Sequence, residues 1–145
     1  MNQPALRTGS CICGAVAFET TGALKDVVYC HCTDCRKQAG QALAFTAAWK
    51  DQFRFTEERG LKWFQSSEHS RRGFCGECGS VLFFDTDGDE KLTITAGAFD
   101  GATGLASAAH IWVASKGDYY DINDGAAQHD HGGDKVPMPP RKSAG

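Results

Sequence analysis

Seven cysteines in three groups carry the chemistry legible in this chain: Cys11-Ile12-Cys13, Cys30-His31-Cys32-Thr33-Asp34-Cys35 and Cys75-Gly76-Glu77-Cys78. Isolated cysteines are ordinarily buried as small hydrophobes, but CxC, CxCxxC and CxxC spacings set thiols close enough to share a metal ion. The odd total excludes complete disulfide pairing within one chain. The middle group offers three thiolates where a tetrahedral metal takes four ligands. Three protein ligands and one open position are the arrangement of a catalytic zinc, whereas a structural site is closed by a fourth donor. Cys11 and Cys13, at i and i+2, leave the same face of an extended strand. Cys75 and Cys78 form a tight knuckle whose glycines let backbone N–H groups approach the thiolates. These four make a closed tetrahedral set and leave Cys30, Cys32 and Cys35 without a fourth cysteine. Spacing also admits another division, in which Cys32 and Cys35 join Cys75 and Cys78. It admits iron too, as a tetrathiolate or a cluster, although zinc better suits hydrolytic or lyase chemistry.

The elements that must position these groups are short and mostly β. Residues 15–20 alternate, with Val16 and Phe18 on one side, which predicts a strand. Val27, Val28 and Tyr29 form an apolar run that delivers Cys30. Residues 34–39 have room for a single helical turn, ended by Gly40. Residues 43–49, the segment with Phe53 and Phe55, and residues 61–65 are further strand candidates. Residues 70–74 lead into the second knuckle, and residues 81–84 and 92–95 are expected to pair across the polar turn Asp85-Thr86-Asp87-Gly88-Asp89. Residues 110–114 make the last expected strand. Many short strands and hardly one full helix predict a mainly β domain of antiparallel strands. The chain divides into an N-terminal arm (1–8), a cysteine-bearing domain (9–128) and a flexible C-terminal tail (129–145), where Gly, Asp, Pro and basic residues take over. His129 and His131 fall in that tail.

With 145 residues, one domain is expected, and its core needs no disulfides. A formal net charge of −3, with no block of Lys and Arg, gives no reason to expect a nucleic-acid or membrane partner. The first ten residues contain no apolar signal core, and no later run approaches a membrane span. A cytoplasmic, reducing location is therefore expected, in which clustered cysteines serve as metal ligands or reactive thiols. The sequence leaves the oligomeric state open.

Gly9-Ser10-Cys11-Ile12-Cys13-Gly14-Ala15-Val16, Cys30-His31-Cys32-Thr33-Asp34-Cys35-Arg36-Lys37 and Phe74-Cys75-Gly76-Glu77-Cys78-Gly79-Ser80 resemble the motifs of the glutathione-dependent formaldehyde-activating enzyme family, which also includes centromere protein V. Ala96-Gly97-Ala98-Phe99-Asp100, His110-Ile111-Trp112-Val113 with Ser115-Lys116, and Asp124-Gly125 match its later landmarks in order. The resemblance implies a β-tent (Mss4-like) fold with two Zn2+ ions. It assigns Cys11, Cys13, Cys75 and Cys78 to a structural zinc and Cys30, Cys32 and Cys35 to a catalytic zinc.

An open zinc can hold a substrate thiolate, which suits glutathione as co-substrate. The expected function is a carbon–sulfur lyase acting on a small-molecule thiol adduct of an aldehyde such as formaldehyde. The alternative is a non-catalytic zinc module that binds a protein partner. The two differ in whether a fourth protein ligand caps the three-cysteine site. Arg36 and Lys37, directly after the cluster, are candidates for binding the carboxylates of glutathione. His31 is expected to point away from the metal as a hydrogen-bonded neighbour, and His110 to be a satisfied, partly buried side chain. Trp49, Trp63 and Trp112 are expected as core or pocket wall.

Overall fold

Period-two alternation and glycine-punctuated turns fold this chain into short strands joined by tight connections. The computed structural model describes residues 6–133 and 135–141; residues 1–5 of the expected arm, and 134 and 142–145 of the expected tail, lie outside the described residues. A three-stranded antiparallel sheet is made of β1 (Arg7–Ser10), β2 (Ala17–Thr20) and β5 (Phe53–Glu57), in the order β1-β2-β5. A larger sheet contains β3 (Val27–Cys30), β4 (Leu43–Trp49), β6 (Leu61–Gln65), β7 (Ser70–Cys75), β8 (Val81–Thr86), β9 (Lys91–Thr95), β10 (Ser107–Ile111) and β11 (Ala127–Gln128). Its strand order is β11-β10-β3-β4-β9-β8-β7-β6. The one α-helix among the described residues, α1 (Thr33–Ala39), follows β3 directly. The protein is mainly β.

The two sheets are joined by aromatic packing. Phe18 of β2, 1% exposed, stacks on Phe53 of β5 and meets Phe83 of β8 and Phe99 edge-on, with ring centroids 5.3–5.5 Å apart. Offset and edge-on rings favour such arrangements by about 0.5–1.5 kcal/mol per pair beyond the area they bury. Leu82, Ile94, Val16 and Ala15 complete the core around them.

Several expected boundaries move, each for a local reason. Strand β1 starts at Arg7, inside the expected arm, because Arg7 and Thr8 pair with Thr20 and Glu19. Helix α1 is longer than one turn. The Cys32 sulfur caps it by accepting from the Cys35 N–H at 3.3 Å, and Gly40 closes it in the left-handed region at φ 86°. Strand β10 stops at Ile111 rather than running to residue 114: Trp112 takes φ 57°, and Val113–Ser115 form a 3-10 turn. The larger sheet is not wholly antiparallel, since β10 runs parallel to both β3 and β11.

The segment after β11 has partners. His129 N–H donates to His110 O, the backbone carbonyls of His129 and Asp130 accept from Val113 and Ala114, and Pro139 O accepts from the Trp49 indole at 3.1 Å. Arg141 lies over Trp49 and pairs with Glu90. No helix of the described residues is long and apolar enough to cross a membrane.

Candidate metal centres

The fold gathers the cysteines into two groups: Cys11, Cys13, Cys75 and Cys78, and separately Cys30, Cys32 and Cys35, with the sulfurs of each group within 4.8 Å of one another. In the first group, the turn after β1 supplies Cys11 and Cys13, and the end of β7 supplies Cys75. Sγ separations are 3.7 Å for Cys11–Cys13 and 3.8 Å for Cys13–Cys75, against the edge of about 3.8 Å that a tetrahedron with Zn–S bonds of about 2.3 Å requires. Backbone N–H groups face the sulfurs: Val16 donates to Cys11 at 3.3 Å, and Glu77 and Cys78 donate to Cys75 at 3.3 and 3.4 Å. The Ser80 hydroxyl and N–H hold the Cys78 thiol down to about 5. Four soft donors, already oriented by N–H groups that favour thiolates, fit a thiophilic metal and close its coordination.

The second group sits where β3 passes into α1. Cys30 ends the strand, Cys32 is the helix cap, and Cys35 lies one turn in and is fully buried. Among the described residues no His, Asp, Glu or further Cys joins this trio as a fourth ligand. Its open side instead faces a cavity of about 300 Å³ lined by all three cysteines, a size that admits a small ligand. Phe45, Phe84, Ile111 and Trp112 form apolar wall, while Lys25, Asp89 and Lys91 lie in the same lining. Three thiolates and an adjoining space fit a metal that keeps one position for an external ligand.

The guanidinium of Arg72, on β7, reaches this trio from the neighbouring strands. Arg72 is 6% exposed, and its Nη1 donates to Cys35 Sγ at 3.4 Å and to Gln38 Oε1 at 2.7 Å; its Nη2 lies 3.9 Å from Cys32 Sγ. Burial works against its charge, and the sulfurs of Cys35 and Cys32 more than offset this, pushing its pKa up. The Cys32 thiol is driven down to about 2, mainly by hydrogen bonds from Cys30 and Cys35, with the Cys35 N–H and Arg72 adding to them. Hydrogen bonds with Cys32 and Cys35, and then burial, push the Cys30 thiol up.

His31 points away from the sulfurs, as its position between two inward cysteines predicts. It is 2% exposed, with Nδ1 2.6 Å from the Tyr120 hydroxyl and Nε2 2.9 Å from His110 Nδ1. His110 Nε2 in turn meets Asp124 at 2.8 Å, and Tyr29 stacks on the His110 ring. The expected satisfied role for His110 therefore holds. Arg36 and Lys37 follow Cys35 on α1, but neither lines the cavity beside the trio. Trp112 is cavity wall, and Trp63 packs on the core beside Phe83. The cations at the cavity, Arg72, Lys25 and Lys91, are ones that cysteine spacing did not point to. The available signal was the pair Arg71-Arg72 just before the Cys75–Cys78 knuckle, since any extended segment there turns one of two neighbours inward.

A mainly β chain with one closed four-sulfur cluster and one open three-sulfur cluster defines a protein with two candidate metal centres. The model of the glutathione-dependent formaldehyde-activating enzyme family matches residues 6–115. The chain belongs to that family. An uncharacterized lyase of Schizosaccharomyces pombe is 30% identical over 116 residues, which span 79% of this chain and 83% of that protein. A crystal structure of a Rhodobacter sphaeroides protein aligns with a TM-score of 0.55 at 20% identity, over 84% of this chain and 98% of the other. That likeness concerns the fold.

Proposed function

We propose that this protein is a zinc-dependent carbon–sulfur lyase acting on a glutathione or related thiol adduct of an aldehyde such as formaldehyde, built on a β-tent scaffold. The observation that carries the reading is the cavity of about 300 Å³ onto which Cys30, Cys32 and Cys35 open, with no fourth protein ligand among the described residues. A non-catalytic zinc module has no need of that space. Family membership and the lyase name of the yeast relative favour the same class.

Cys11, Cys13, Cys75 and Cys78 would hold a structural zinc, and Cys30, Cys32 and Cys35 a second one. When bound there, zinc supplies a Lewis-acid position for a substrate sulfur. In the reaction, the C–S bond of a hemithioacetal breaks, its electron pair stays on sulfur as a thiolate, and the hydroxyl passes its proton to solvent as the carbonyl forms. The reverse direction adds the thiolate to the aldehyde. Phe45, Phe84 and Ile111 give the space beside the reacting sulfur an apolar wall, and the Arg72 guanidinium lines the same space, where Lys91 is paired with Asp89. Arg36 and Lys37 would serve a carboxylate only on a ligand that projects past α1.

Metal content and carbon–sulfur exchange test the reading together. The purified protein should hold two zinc ions and accelerate the exchange between formaldehyde, glutathione and their adduct, followed by exchange NMR. The Cys32→Ser variant should keep one zinc and lose the acceleration. A two-zinc protein that leaves the exchange at its uncatalysed rate, with glutathione or with small thiols, would refute the lyase reading.

A further inference from the structure

Arg72 and Arg71 are neighbours in sequence and opposites in environment. Strand alternation turns Arg71 outward, over the Trp63 ring and beside Asp85. It turns Arg72 inward, where the guanidinium is buried over Phe84. Burying a cation costs several kcal/mol unless an anion answers it. Among the described residues Arg72 has no carboxylate in ion-pair distance; its close partners are the neutral Gln38 amide and the sulfurs of Cys35 and Cys32. The guanidinium is thus set against the sulfur pair, which becomes its anionic partner when the trio holds a metal.

The four-cysteine group makes the contrast. Its sulfurs take hydrogen bonds from backbone N–H groups and from Ser80, and among the described residues no guanidinium or ammonium donates to them. A closed centre does not have to take on further charge. The three-cysteine centre does: a divalent ion with three thiolates carries a charge of −1, and a fourth, external thiolate makes it −2. The Arg72 side chain also lines the cavity through which that ligand arrives.

We propose that Arg72 is the charge-compensating, specificity-determining residue of the three-cysteine centre, positioned to let it accept an anionic sulfur ligand. Its guanidinium fork donates to Cys35 Sγ, lies beside Cys32 Sγ and faces the cavity, so it offsets the charge of an incoming thiolate and prefers thiolates over neutral ligands. Gln38 holds the fork in place. This rests on the metal-centre reading above, and partners that orient metal ligands in this way ordinarily change metal affinity about 10–100-fold when removed.

Cobalt(II) loaded into the full chain provides a spectroscopic test, because its visible absorption changes when a thiolate joins its ligands. Wild type should take up two cobalt ions and respond to added glutathione and 2-mercaptoethanol. Arg72→Gln should keep the four-cysteine ion, bind the second about 10–100-fold more weakly, and lose the thiol response at concentrations that saturate wild type. Arg72→Lys keeps the charge and should rescue the response. Wild-type second-ion affinity and thiol half-saturation in Arg72→Gln would overturn the proposal, as would equal impairment in the Gln and Lys variants, which would mark a packing role. Should Arg72→Gln fail to fold, Arg72→Lys decides alone: a second ion held with no thiol response overturns the proposal, and a retained response supports it. Uptake of a single ion by wild type would instead overturn the metal-centre reading itself.

Discussion

Nε2 of His31 lies 2.9 Å from Nδ1 of His110, although the two residues are 79 positions apart in sequence. The direction of this bond follows from its neighbours. The Ala126 N–H and His110 hold Asp124 below the ordinary carboxylate range, so it is ionised and accepts from His110 Nε2. With both imidazoles in the neutral form, His110 Nδ1 accepts, His31 Nε2 donates to it, and the Tyr120 hydroxyl donates to His31 Nδ1. Every proton in the row points toward Asp124, and every buried nitrogen has a partner. The row ties the peptide between Cys30 and Cys32 to β10 and to the loop carrying Tyr120. On the metal-centre reading proposed above, the row positions the three-cysteine group.

Removing one of its two inner members tests that role. His110→Ala leaves the His31 N–H without an acceptor in the interior, which costs about 1–3 kcal/mol. Urea unfolding should show that loss, and zinc at the three-cysteine centre should become about tenfold easier to remove by a competing chelator. Unchanged zinc retention would confine the row to stability.

Cys75→Ser and Cys32→Ser should separate the two clusters. Cys75 is fully buried and receives two backbone N–H bonds in the closed set. Its replacement should release that zinc and lower the melting temperature sharply, since binding energy at a structural site is folding energy. Cys32 borders the cavity, and its replacement should lower the melting temperature far less while abolishing carbon–sulfur exchange. Equal drops measured by differential scanning calorimetry would contradict the division.

Gly60 offers a steric test. A Cβ there would stand 2.7 Å from Ala15 Cβ and 2.9 Å from Cys75 Sγ, neither of which is the far end of a flexible side chain. Gly60→Ala should destabilise by about 1–3 kcal/mol through overpacking and loosen the four-cysteine group. Gly97→Ala, whose Cβ would meet nothing within 4 Å, should stay within about 0.5 kcal/mol of wild type. Parallel denaturant titrations of the two variants decide the matter.

Asp89 gives a pH dependence with a definite sign. Burial raises its pKa, but the Lys91 ammonium at 2.8 Å and the Lys91 N–H outweigh this and hold it below 3.8. A carboxylate with a depressed folded-state pKa contributes stability above its unfolded value, and that contribution is lost as pH falls through the folded one. The stability of Asp89→Asn should therefore fall less steeply than that of wild type between about pH 5 and pH 2. Parallel slopes in urea midpoints across that range would remove the assigned role.

Much of this architecture is local in origin, and so was legible in the chain. The strand candidates at residues 43–49 and 61–65 coincide with β4 and β6 to the residue, because a short largely apolar run bounded by polar or glycine-containing turns is local information. The grouping of cysteines into CxC, CxCxxC and CxxC is equally local, since spacing of a few residues sets how close sulfurs come. The end of β10 was not legible, because nothing before the structure shows that Trp112 adopts the left-handed region. The parallel pairing of β10 with β3 was hidden too, as β4 and β6 to β9 lie between them in sequence.

The sequence by itself determined which residues could bind metal, the mainly β class and the family to which the chain belongs. Only the tertiary structure decided which sulfurs meet, that the three-cysteine group opens on a cavity, and that Arg72 rather than Arg36 or Lys37 attends it. The reason is physical. Arg71 and Arg72 carry the same charge at adjacent positions, and alternation says that they part without saying which one turns inward. That choice is made when β7 pairs with β8 and delivers one side chain to α1, across a span of sequence that no spacing rule covers.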